Sequence, residues 1–224
     1  MPPAVVIPTF NEADNIGLLV SAIRVHLPDA HILVVDDASP DGTADRAEAA
    51  GVAVIRRVGP RGLGPAYREG FTRVLAEGWD PILQMDADLS HDPADLPRLV
   101  AALAEADLAL GSRWTAGGGT VAWGLGRRML SRFGSAYART WLKMPQRDLT
   151  GGFKAWRAAT LEAVGPQSLH ADGYAFQIES TWRAHRFGAR IVEVPIVFTE
   201  RRAGVSKLSG RIVVEAAWRV PGLS

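Results

Sequence analysis

The chain has no cysteine among its 224 residues, which excludes disulfides, iron–sulfur clusters and zinc sites built on thiolates. It has no apolar run approaching about 18 residues, so we expect no helix that spans a membrane. The N-terminal segment MPPAVVIPTF has no basic region before an apolar stretch, and we expect no signal peptide. With 47% apolar and 22% charged residues, the composition is that of a globular domain rather than a disordered chain.

Acidic residues are absent from one long segment. From Ser112 to Arg147 the sequence contains seven Lys or Arg residues and no Asp or Glu. Of the 25 basic residues in the chain, 18 therefore lie elsewhere, together with all 24 acidic residues. This segregation indicates an anionic partner at the segment, either phosphate groups or an anionic membrane surface. The alternative is a basic helix that is simply solvated.

Short apolar strands alternate with amphipathic helices in the first half of the chain. The predicted strands are residues 4–8, 31–35, 52–55, 81–85 and 108–110. Helical spacing or capping residues lie between them, and we expect Asn11 to cap the first helix and Asp92 the fourth. The alternation predicts an α/β fold with a Rossmann-like, mostly parallel sheet flanked by helices. Neither a repeat nor a linker divides the chain, so residues 1–224 are predicted to form a single domain.

The second half is less regular but contains one clear helix. Residues 125–143 have helical spacing, within a basic and aromatic segment at 121–144. One face of this helix carries cations at Arg128, Arg132, Arg139 and Lys143, and an adjacent stripe carries Phe133, Tyr137 and Trp141. The segment Thr150–Phe153 is predicted to turn into a further helix. Residues 191–198 are predicted to form a strand, with an edge or bulge at Pro195.

Polar side chains follow several of the predicted strands. Asp36 and Asp37 come directly after the second strand, and Asp86-Ala87-Asp88 follows the fourth. The carboxyl ends of parallel strands meet at one edge of a sheet, where ligands bind. Two carboxylates at a strand end can share Mg²⁺ or Mn²⁺ with the oxygens of a phosphate, and Ser90 and His91 lie close enough to assist. The alternative is that D-x-D is an ordinary loop sequence.

A glycine-rich stretch at Gly59–Gly64 fits neither the P-loop nor the dinucleotide-binding fingerprint, and it has no GK[ST] sequence. We interpret it as a turn before a helix.

Seven segments together resemble the dolichol- or polyprenol-phosphate mannosyltransferases. They are PTFNEADNI, VVDDASPDGT, RGLGPAYREGF, QMDADLSHDP, GSRW, DLTGGFKAWR and EVPIVFTERRAGVSKLS. The resemblance runs from Pro8 to about Leu208, and the combination of MDADLSH, DLTGGF and RxxGxSKL is specific. It implies a GT-A fold and an inverting transfer of mannose from GDP-mannose to a polyprenyl phosphate. The more general segments are shared by many sugar-nucleotide transferases.

The resemblance also implies roles for individual residues. The donor nucleotide-sugar site would be formed by Pro8, Phe10, Glu12, Val35, Asp37, Met85, Asp86, Ala87, Asp88, Arg113, Arg201 and Lys207. The family usually has Tyr at the position of Phe10, so a hydroxyl contact is lost. The metal site would comprise Asp86, Asp88 and, through a bridging water, Ser90. The catalytic residues would be Asp88, Arg113 and, in a C-terminal donor loop and tail at 199–224, Arg201 and Lys207. Arg202 is a weaker substitute for Arg201.

The acceptor is expected at the basic segment. We predict that Arg113 and Arg128, with Arg127 and Arg132, bind its phosphate, because a guanidinium can bind an anion in a bidentate manner. The helix at 125–143, with Trp123 beside it, is a predicted membrane-docking surface. The enzyme is expected on the cytoplasmic face of a membrane, held peripherally or by a separate membrane-anchoring subunit.

Three other functions fit some of the same features. One is a transferase that uses UDP-glucose or another donor on a lipid phosphate. A second is transfer to a hydroxyl, which would require a carboxylate base. The third is a non-catalytic phosphoinositide- or nucleic-acid-binding module. The carboxylates at the strand ends oppose it, because without a metal they would repel phosphate, and we expect no nucleic-acid partner.

Overall fold

Nine strands and seven α-helices are found in the computed structural model, which describes residues 1–200 and 220–223. The strands are β1 Ala4–Thr9, β2 His31–Asp36, β3 Ala53–Arg56, β4 Ile82–Gln84, β5 Leu108–Ser112, β6 Gly119–Val121, β7 Lys154–Trp156, β8 Ile191–Pro195 and β9 Val197–Thr199. The helices are α1 Ala13–His26, α2 Thr43–Ala49, α3 Leu63–Ala76, α4 Leu96–Ala102, α5 Leu125–Leu142, α6 Ala158–Val164 and α7 Gly173–Arg186. Short 3₁₀ turns occur at Pro93–Asp95, Pro166–Ser168 and Val220–Leu223.

Seven strands form one sheet in the order β3-β2-β1-β4-β7-β5-β8. Every strand is parallel to the others except β7, which lies antiparallel between β4 and β5. The carboxyl ends of β1, β2, β4 and β5 therefore meet at one edge, as predicted. This edge also receives the start of β7, since Lys154 pairs with Gln84 at the end of β4.

Helices cover both faces of the sheet because its strands are apolar on both sides. Helices α3, α6 and α7 pack on one face, and α1, α2 and α4 pack on the other. The close approach of α3 depends on Gly70, where an added Cβ would lie 2.5 Å from Val6 Cγ1. These observations confirm the predicted α/β fold with a mostly parallel sheet flanked by helices.

Two predictions of local structure were wrong. The segment after Phe153 forms strand β7 rather than a helix, since three buried residues pair with strands on both sides. Gly119 begins β6, which pairs in parallel with β9 as a separate two-stranded sheet. The predicted strand at 191–198 is divided into β8 and β9. Its first part, β8, is the edge strand of the large sheet and ends at Pro195, as that proline suggested.

The first turn of α1 is capped from a distant part of the chain. Asn11 was expected to cap it, but its main chain has a φ of 57° and its own amide donates to Ser39 Oγ. The Glu12 amide donates to Thr43 Oγ1, and the Ala13 amide donates to Asp41 Oδ2. Side chains from the segment after β2 thus accept the hydrogen bonds of amides that a local capping residue would otherwise accept. This contact fixes the ends of β1 and β2 relative to each other.

Candidate functional site

The loop after β4 presents Asp86 and Asp88 at the carboxyl edge of the sheet. Asp88 is buried, and its Oδ1 accepts hydrogen bonds from the Ser90 amide at 3.1 Å and from the Ser90 hydroxyl. Asp86 is partly exposed. Ser90 therefore orients the second carboxylate, and its contact with a metal through a bridging water stays a prediction.

His91 supports the same loop from the interior of the protein. It is buried, stacks on Phe153 with the ring centroids 4.7 Å apart, and accepts a hydrogen bond from the Asp86 amide at Nδ1. Burial lowers the pKa of His91 to about 4. The imidazole is therefore neutral at physiological pH and supports the main chain of the two-aspartate loop.

The oxygens of this loop fit a hard divalent cation. Mg²⁺ in nucleotide sites commonly takes one or two carboxylates, and substrate phosphates and waters complete its shell. Asp86 and Asp88 supply such a pair. In residues 1–200 and 220–223 there is no cluster of three or more His, Cys, Asp or Glu side chains suited to a metal. The carboxylates match a cation that arrives with a diphosphate better than one held by protein ligands alone.

The predicted nucleoside residues lie at the ends of β1 and β2. Phe10 is half-buried, with the guanidinium of Arg61 4.4 Å from its ring centroid. Asp37 is buried and accepts hydrogen bonds from Arg57 and from the Gly62 amide. The Glu12 carboxylate accepts from Asn15 Nδ2 at 2.8 Å. Pro8 is half-buried in the same strand end. The four residues are close to one another, and nucleoside binding by them stays a prediction.

Three of the expected donor contacts need correction at the level of side chains. Val35 and Met85 have no exposed surface, and Ala87 has almost none. Val35 packs against α3, where an added Cβ on Gly70 would lie 2.9 Å from its Cγ2. These side chains belong to the core, so any contact with a donor would be made by their main-chain atoms.

The glycine-rich stretch before α3 packs against the protein itself. The Gly64 amide donates to Asp172 Oδ1 at 2.7 Å, and an added Cβ on Gly64 would lie 2.4 Å from the Ala171 carbonyl oxygen. The glycines permit this close approach to the start of α7. The stretch is a turn before a helix, as expected.

Arg113 follows β5 and is bound by a carboxylate that the sequence did not indicate. Its Nε and Nη2 donate to the two oxygens of Asp148, each at 2.7 Å, and Nη2 also donates to Thr150 Oγ1 at 2.9 Å. Burial would raise the pKa of Asp148, but the charge and hydrogen bonds of Arg113 outweigh burial and lower it. Three of the five N–H groups of the Arg113 guanidinium are engaged in this way, and binding of a phosphate by Arg113 stays a prediction.

The cations of α5 differ in their surroundings. Arg127 pairs with Glu200 and lies 4.2 Å from the centroid of the Trp123 ring, so it too has a carboxylate partner. Arg128 and Arg132 are exposed, and Arg132 lies over the Trp114 ring at 5.6 Å. The segment from Ser112 to Arg147 contains no acidic residue, but in the folded protein acidic side chains from outside the segment contact it. Arg201, Arg202 and Lys207, also predicted at the site, lie outside the described residues.

Buried donors without a partner surround this group of arginines. The indole nitrogens of Trp114 and Trp123 and the Nε of Arg127 have no hydrogen-bond partner within the described part of the chain. Arg113 lies 5.5 Å from both indole rings. Buried donors are normally satisfied, so three of them together indicate that an acceptor group belongs here.

Helix α5 exposes a continuous apolar stripe. Leu125, Met129 and Phe133 are spaced four residues apart and are each at least 70% exposed. Its opposite face packs through Ala138 and Leu142 against α7. Trp123, expected on the docking surface, instead packs edge-to-face on Phe198. Among the residues described, no helix has both the length and the apolar character needed to cross a bilayer.

Two residues of this region were not anticipated. Asp148 and Thr150 were missed because they follow the acid-free segment and were assigned to a turn before a helix. The sequence DLTGGF was the available signal for both, since it contains a carboxylate and two glycines directly before an apolar segment.

Comparison with known proteins gives a consistent result. The sequence model described as "Glycosyl transferase family 2" matches residues 4–165. Undecaprenyl-phosphate mannosyltransferase of Micrococcus luteus is 46% identical over 220 residues, covering 96% of this chain and 90% of the relative. Polyprenol monophosphomannose synthase of Mycolicibacterium smegmatis is 44% identical over 223 residues, covering 96% and 84%.

Solved structures with the same fold are more distant in sequence. Glucosyl-3-phosphoglycerate synthase of Mycobacterium tuberculosis, crystallised with Mn²⁺, uridine diphosphate and glucosyl-3-phosphoglycerate, gives a TM-score of 0.72 at 22% identity. The match covers 98% of this chain and 80% of that chain. At this identity the likeness shows the fold alone, which is that of the GT-A glycosyltransferases.

Proposed function

The chain belongs to glycosyl transferase family 2, and from this premise we propose that it transfers mannose from GDP-mannose to a polyprenyl phosphate with inversion at the anomeric carbon. The bond between the anomeric carbon and the β-phosphate oxygen of GDP breaks. A bond from that carbon to an oxygen of the polyprenyl phosphate forms, and GDP leaves. Mannosyl transfer to a polyprenyl phosphate is the activity named for both relatives, and GDP-mannose as the donor is our own assignment.

One observation carries this proposal. The two-aspartate loop after β4 and the arginine-rich helix α5 lie at the same edge of the sheet. The loop before β7 links them. Its Gly152 lies beside Asp86, and its Thr150 accepts a hydrogen bond from Arg113 and lies 3.3 Å from Ser135 Oγ of α5. Carboxylates suited to a cation with its diphosphate thus adjoin cations suited to a second phosphate. A transfer between two phosphate esters requires this pairing.

The nucleophile explains why no general base is required. A phosphate monoester has a second pKa of about 6 and is largely dianionic at neutral pH. The protein must instead hold two anions close together, which requires positive charge and hydrogen-bond donors. The described residues contribute such groups at α5 and β5 in the form of Arg128, Arg132, Trp114 and Trp123. The main contribution of Arg113 is a positive charge that the hydrogen bonds to Asp148 hold in place.

Asp86 and Asp88 would hold a divalent cation, Mg²⁺ or Mn²⁺, together with the donor diphosphate. When bound, such a cation neutralises charge that develops on the leaving diphosphate. Ser90 and His91 keep the two-aspartate loop in place through the hydrogen bonds described above. Roles for Arg201 and Lys207 at the leaving group stay predictions.

The acceptor carries a lipid, and α5 offers a surface that fits the membrane containing it. The exposed stripe of Leu125, Met129 and Phe133 lies beside a cationic stripe that includes Arg128 and Arg132. An apolar stripe bordered by cations matches an anionic bilayer surface, with the apolar side chains entering the headgroup region. We therefore propose that α5 contacts the membrane. The cytoplasmic face and a separate anchoring subunit stay predictions.

The direct test is transfer of radiolabel from GDP-[¹⁴C]mannose into an organic-extractable product, with a polyprenyl phosphate in vesicles and Mg²⁺ present. We expect product that is labile to mild acid and absent when EDTA is added. UDP-[¹⁴C]glucose is the matched donor control. Equal transfer from both donors would contradict the GDP-mannose assignment. Incorporation of label into lipid with polyprenol as the acceptor, but not with polyprenyl phosphate, would contradict the acceptor assignment.

A further inference from the structure

The side chain of Gln177, near the start of α7, has a buried amide nitrogen without a partner. The residue is 2% exposed, and its Nε2 forms no hydrogen bond with any residue of 1–200 or 220–223. An amide nitrogen carries two hydrogens, and leaving both unpaired in the interior is unfavourable. Such an atom indicates that another group binds to it in the working protein.

The orientation of this amide is fixed by a chain of hydrogen bonds. Trp156 Nε1 donates to Gln84 Oε1 at 3.0 Å, and an indole nitrogen is a donor only. Gln84 must therefore turn its Nε2 toward Gln177 Oε1, to which it donates at 2.8 Å. The oxygen of the Gln177 amide therefore faces Gln84, and its nitrogen points away from Gln84. Exchange of the two amide atoms of Gln177 would leave two nitrogens, both of them donors, facing each other.

That nitrogen faces the bare main chain of Gly152. A Cβ added to Gly152 would lie 3.2 Å from Gln177 Nε2 and 3.3 Å from Asp86 Oδ1. One point beside Gly152 is therefore within reach of an amide donor and of a carboxylate oxygen. Glycine at this position keeps a side chain out from between the amide of Gln177 and the carboxylate of Asp86. Asp86 has two carboxylate oxygens, so one can face the space while the other faces a cation.

A second buried group points to the same region. Tyr67, in α3, has no exposed surface, and its hydroxyl has no hydrogen-bond partner among the described residues. Burial raises the pKa of Tyr67 well above its usual value, and the charges of Asp86 and Asp88 raise it further. The Tyr67 ring stacks on Phe176, the neighbour of Gln177 in α7. Two unpaired polar groups thus lie near the two-aspartate loop.

We infer that Gln177 and Asp86 bind a hydroxyl group of the donor hexose, over the main chain of Gly152. A hydroxyl accepts a hydrogen bond from the amide and donates one to the carboxylate, whereas a phosphate oxygen would only accept and would be repelled by Asp86. This inference rests on the proposed function and deepens it, because it names the residues that recognise the sugar rather than the nucleotide.

The test separates the sugar from the nucleotide. Gln177→Met removes the amide without adding charge, and the Gln84 Nε2 retains its bond to the Gly152 carbonyl at 3.1 Å. Gly152→Ala keeps the amide and fills the space. We expect each variant to weaken GDP-mannose binding by about three- to tenfold and GDP binding by less than about twofold. Isothermal titration calorimetry with Mg²⁺ and without acceptor measures both affinities in the absence of turnover.

Two matched variants control for the substitutions themselves. Gln167→Met changes an exposed glutamine, and Gly17→Ala adds a Cβ where nothing lies within 4 Å. Both should bind the two ligands as the wild type does, and thermal unfolding checks that all four variants fold. Equal weakening of GDP and GDP-mannose, or no weakening of either, would overturn the inference. Failure of the wild type to bind either ligand would overturn the proposed donor, and the inference with it.

Discussion

Asp148 binds the buried guanidinium of Arg113 through two parallel hydrogen bonds of 2.7 Å, and a third at 3.0 Å joins its Oδ2 to the Arg113 amide. The pair fixes the end of β5 against the loop that enters β7. It thereby positions Thr150 and the two glycines after it beside the two-aspartate loop. The most buried arginine of the basic segment thus has a structural partner, and binding of an incoming phosphate by the exposed arginines of α5 stays a prediction.

Loss of the Asp148 charge should destabilise the protein strongly. Asp148→Asn leaves a buried guanidinium without its counter-charge, and breaking such a pair costs about 3–5 kcal/mol. Urea unfolding followed by circular dichroism measures the change. Asp14→Asn, which removes the partner of Arg46 at an exposed site, should cost less than about 0.5 kcal/mol. Equal effects of the two substitutions would show that the buried pair contributes little.

Asp88 should be required for the cation-dependent step. Asp88→Asn keeps the shape of the side chain but removes its charge, and we expect transfer to fall by at least about 10²-fold. Stabilisation of the protein by GDP with Mg²⁺, measured by thermal shift, should also be lost. Asp92→Asn, an exposed position in the same loop, should retain both properties. If Asp88→Asn kept the Mg²⁺-dependent response to GDP, the assignment of Asp88 as a ligand would be wrong.

Arg128 should act on the acceptor rather than on the donor. Arg128→Ala is expected to raise the KM for polyprenyl phosphate by about tenfold, since a charge-assisted hydrogen bond is lost, with the KM for GDP-mannose unchanged. Arg139→Ala removes an equally exposed arginine further along α5 and should have a smaller effect. Similar increases for both variants would indicate a general role of surface charge instead of a phosphate site at Arg128.

The apolar stripe of α5 should be needed for membrane binding. Phe133→Ser removes a side chain that is 70% exposed, and Phe187→Ser makes the same change at a position that is 64% exposed, directly after α7. We expect only Phe133→Ser to reduce co-sedimentation with vesicles containing anionic lipid, by several-fold. Binding by the wild type should also fall as salt is raised, because the arginines of α5 contribute. Equal loss in the two variants would place the docking surface elsewhere.

Lys154 should make stability depend on pH in a defined window. It is fully buried, with Nζ donating to the Gln177 carbonyl and to Thr181 Oγ1, each at 2.9 Å. Burial lowers the pKa of Lys154 to about 7, from 10.5. Between these values the unfolded chain binds more protons, so the free energy of unfolding should rise with pH from about 7 to 10.5 by a few kcal/mol.

Replacement of the lysine tests this contribution. Lys154→Met should remove the rise, and the hydroxyls of Ser180 and Thr181 still satisfy the Gln177 carbonyl. Lys143→Met changes an exposed lysine and should leave the pH dependence as in the wild type. Urea unfolding at several pH values from 6 to 10 provides the measurement. A wild-type curve that does not differ from the Lys154→Met curve in this window would contradict a depressed pKa.

Local sequence patterns were sufficient to predict the parallel part of the fold. Strands such as β1 and β2 are continuous apolar runs, and helices such as α1 have apolar residues at helical spacing, so each element is encoded within about 15 residues. The position of Asp86 and Asp88 at the carboxyl edge followed from the same patterns, because strand direction determines which ends meet. The basic helix at 125–143 was predicted within one residue of α5.

Tertiary structure alone decided how the second half completes the site. The sequence around Phe153 does not specify a partner, and only insertion between β4 and β5 makes it an antiparallel strand. The Arg113–Asp148 pair spans 35 positions and the Gln84–Gln177 bond spans 93. Side-chain periodicity reports which face of an element is buried, but not which distant polar group it meets there. The partners of buried charges and amides are therefore fixed by packing, where each must be satisfied, and not by local sequence.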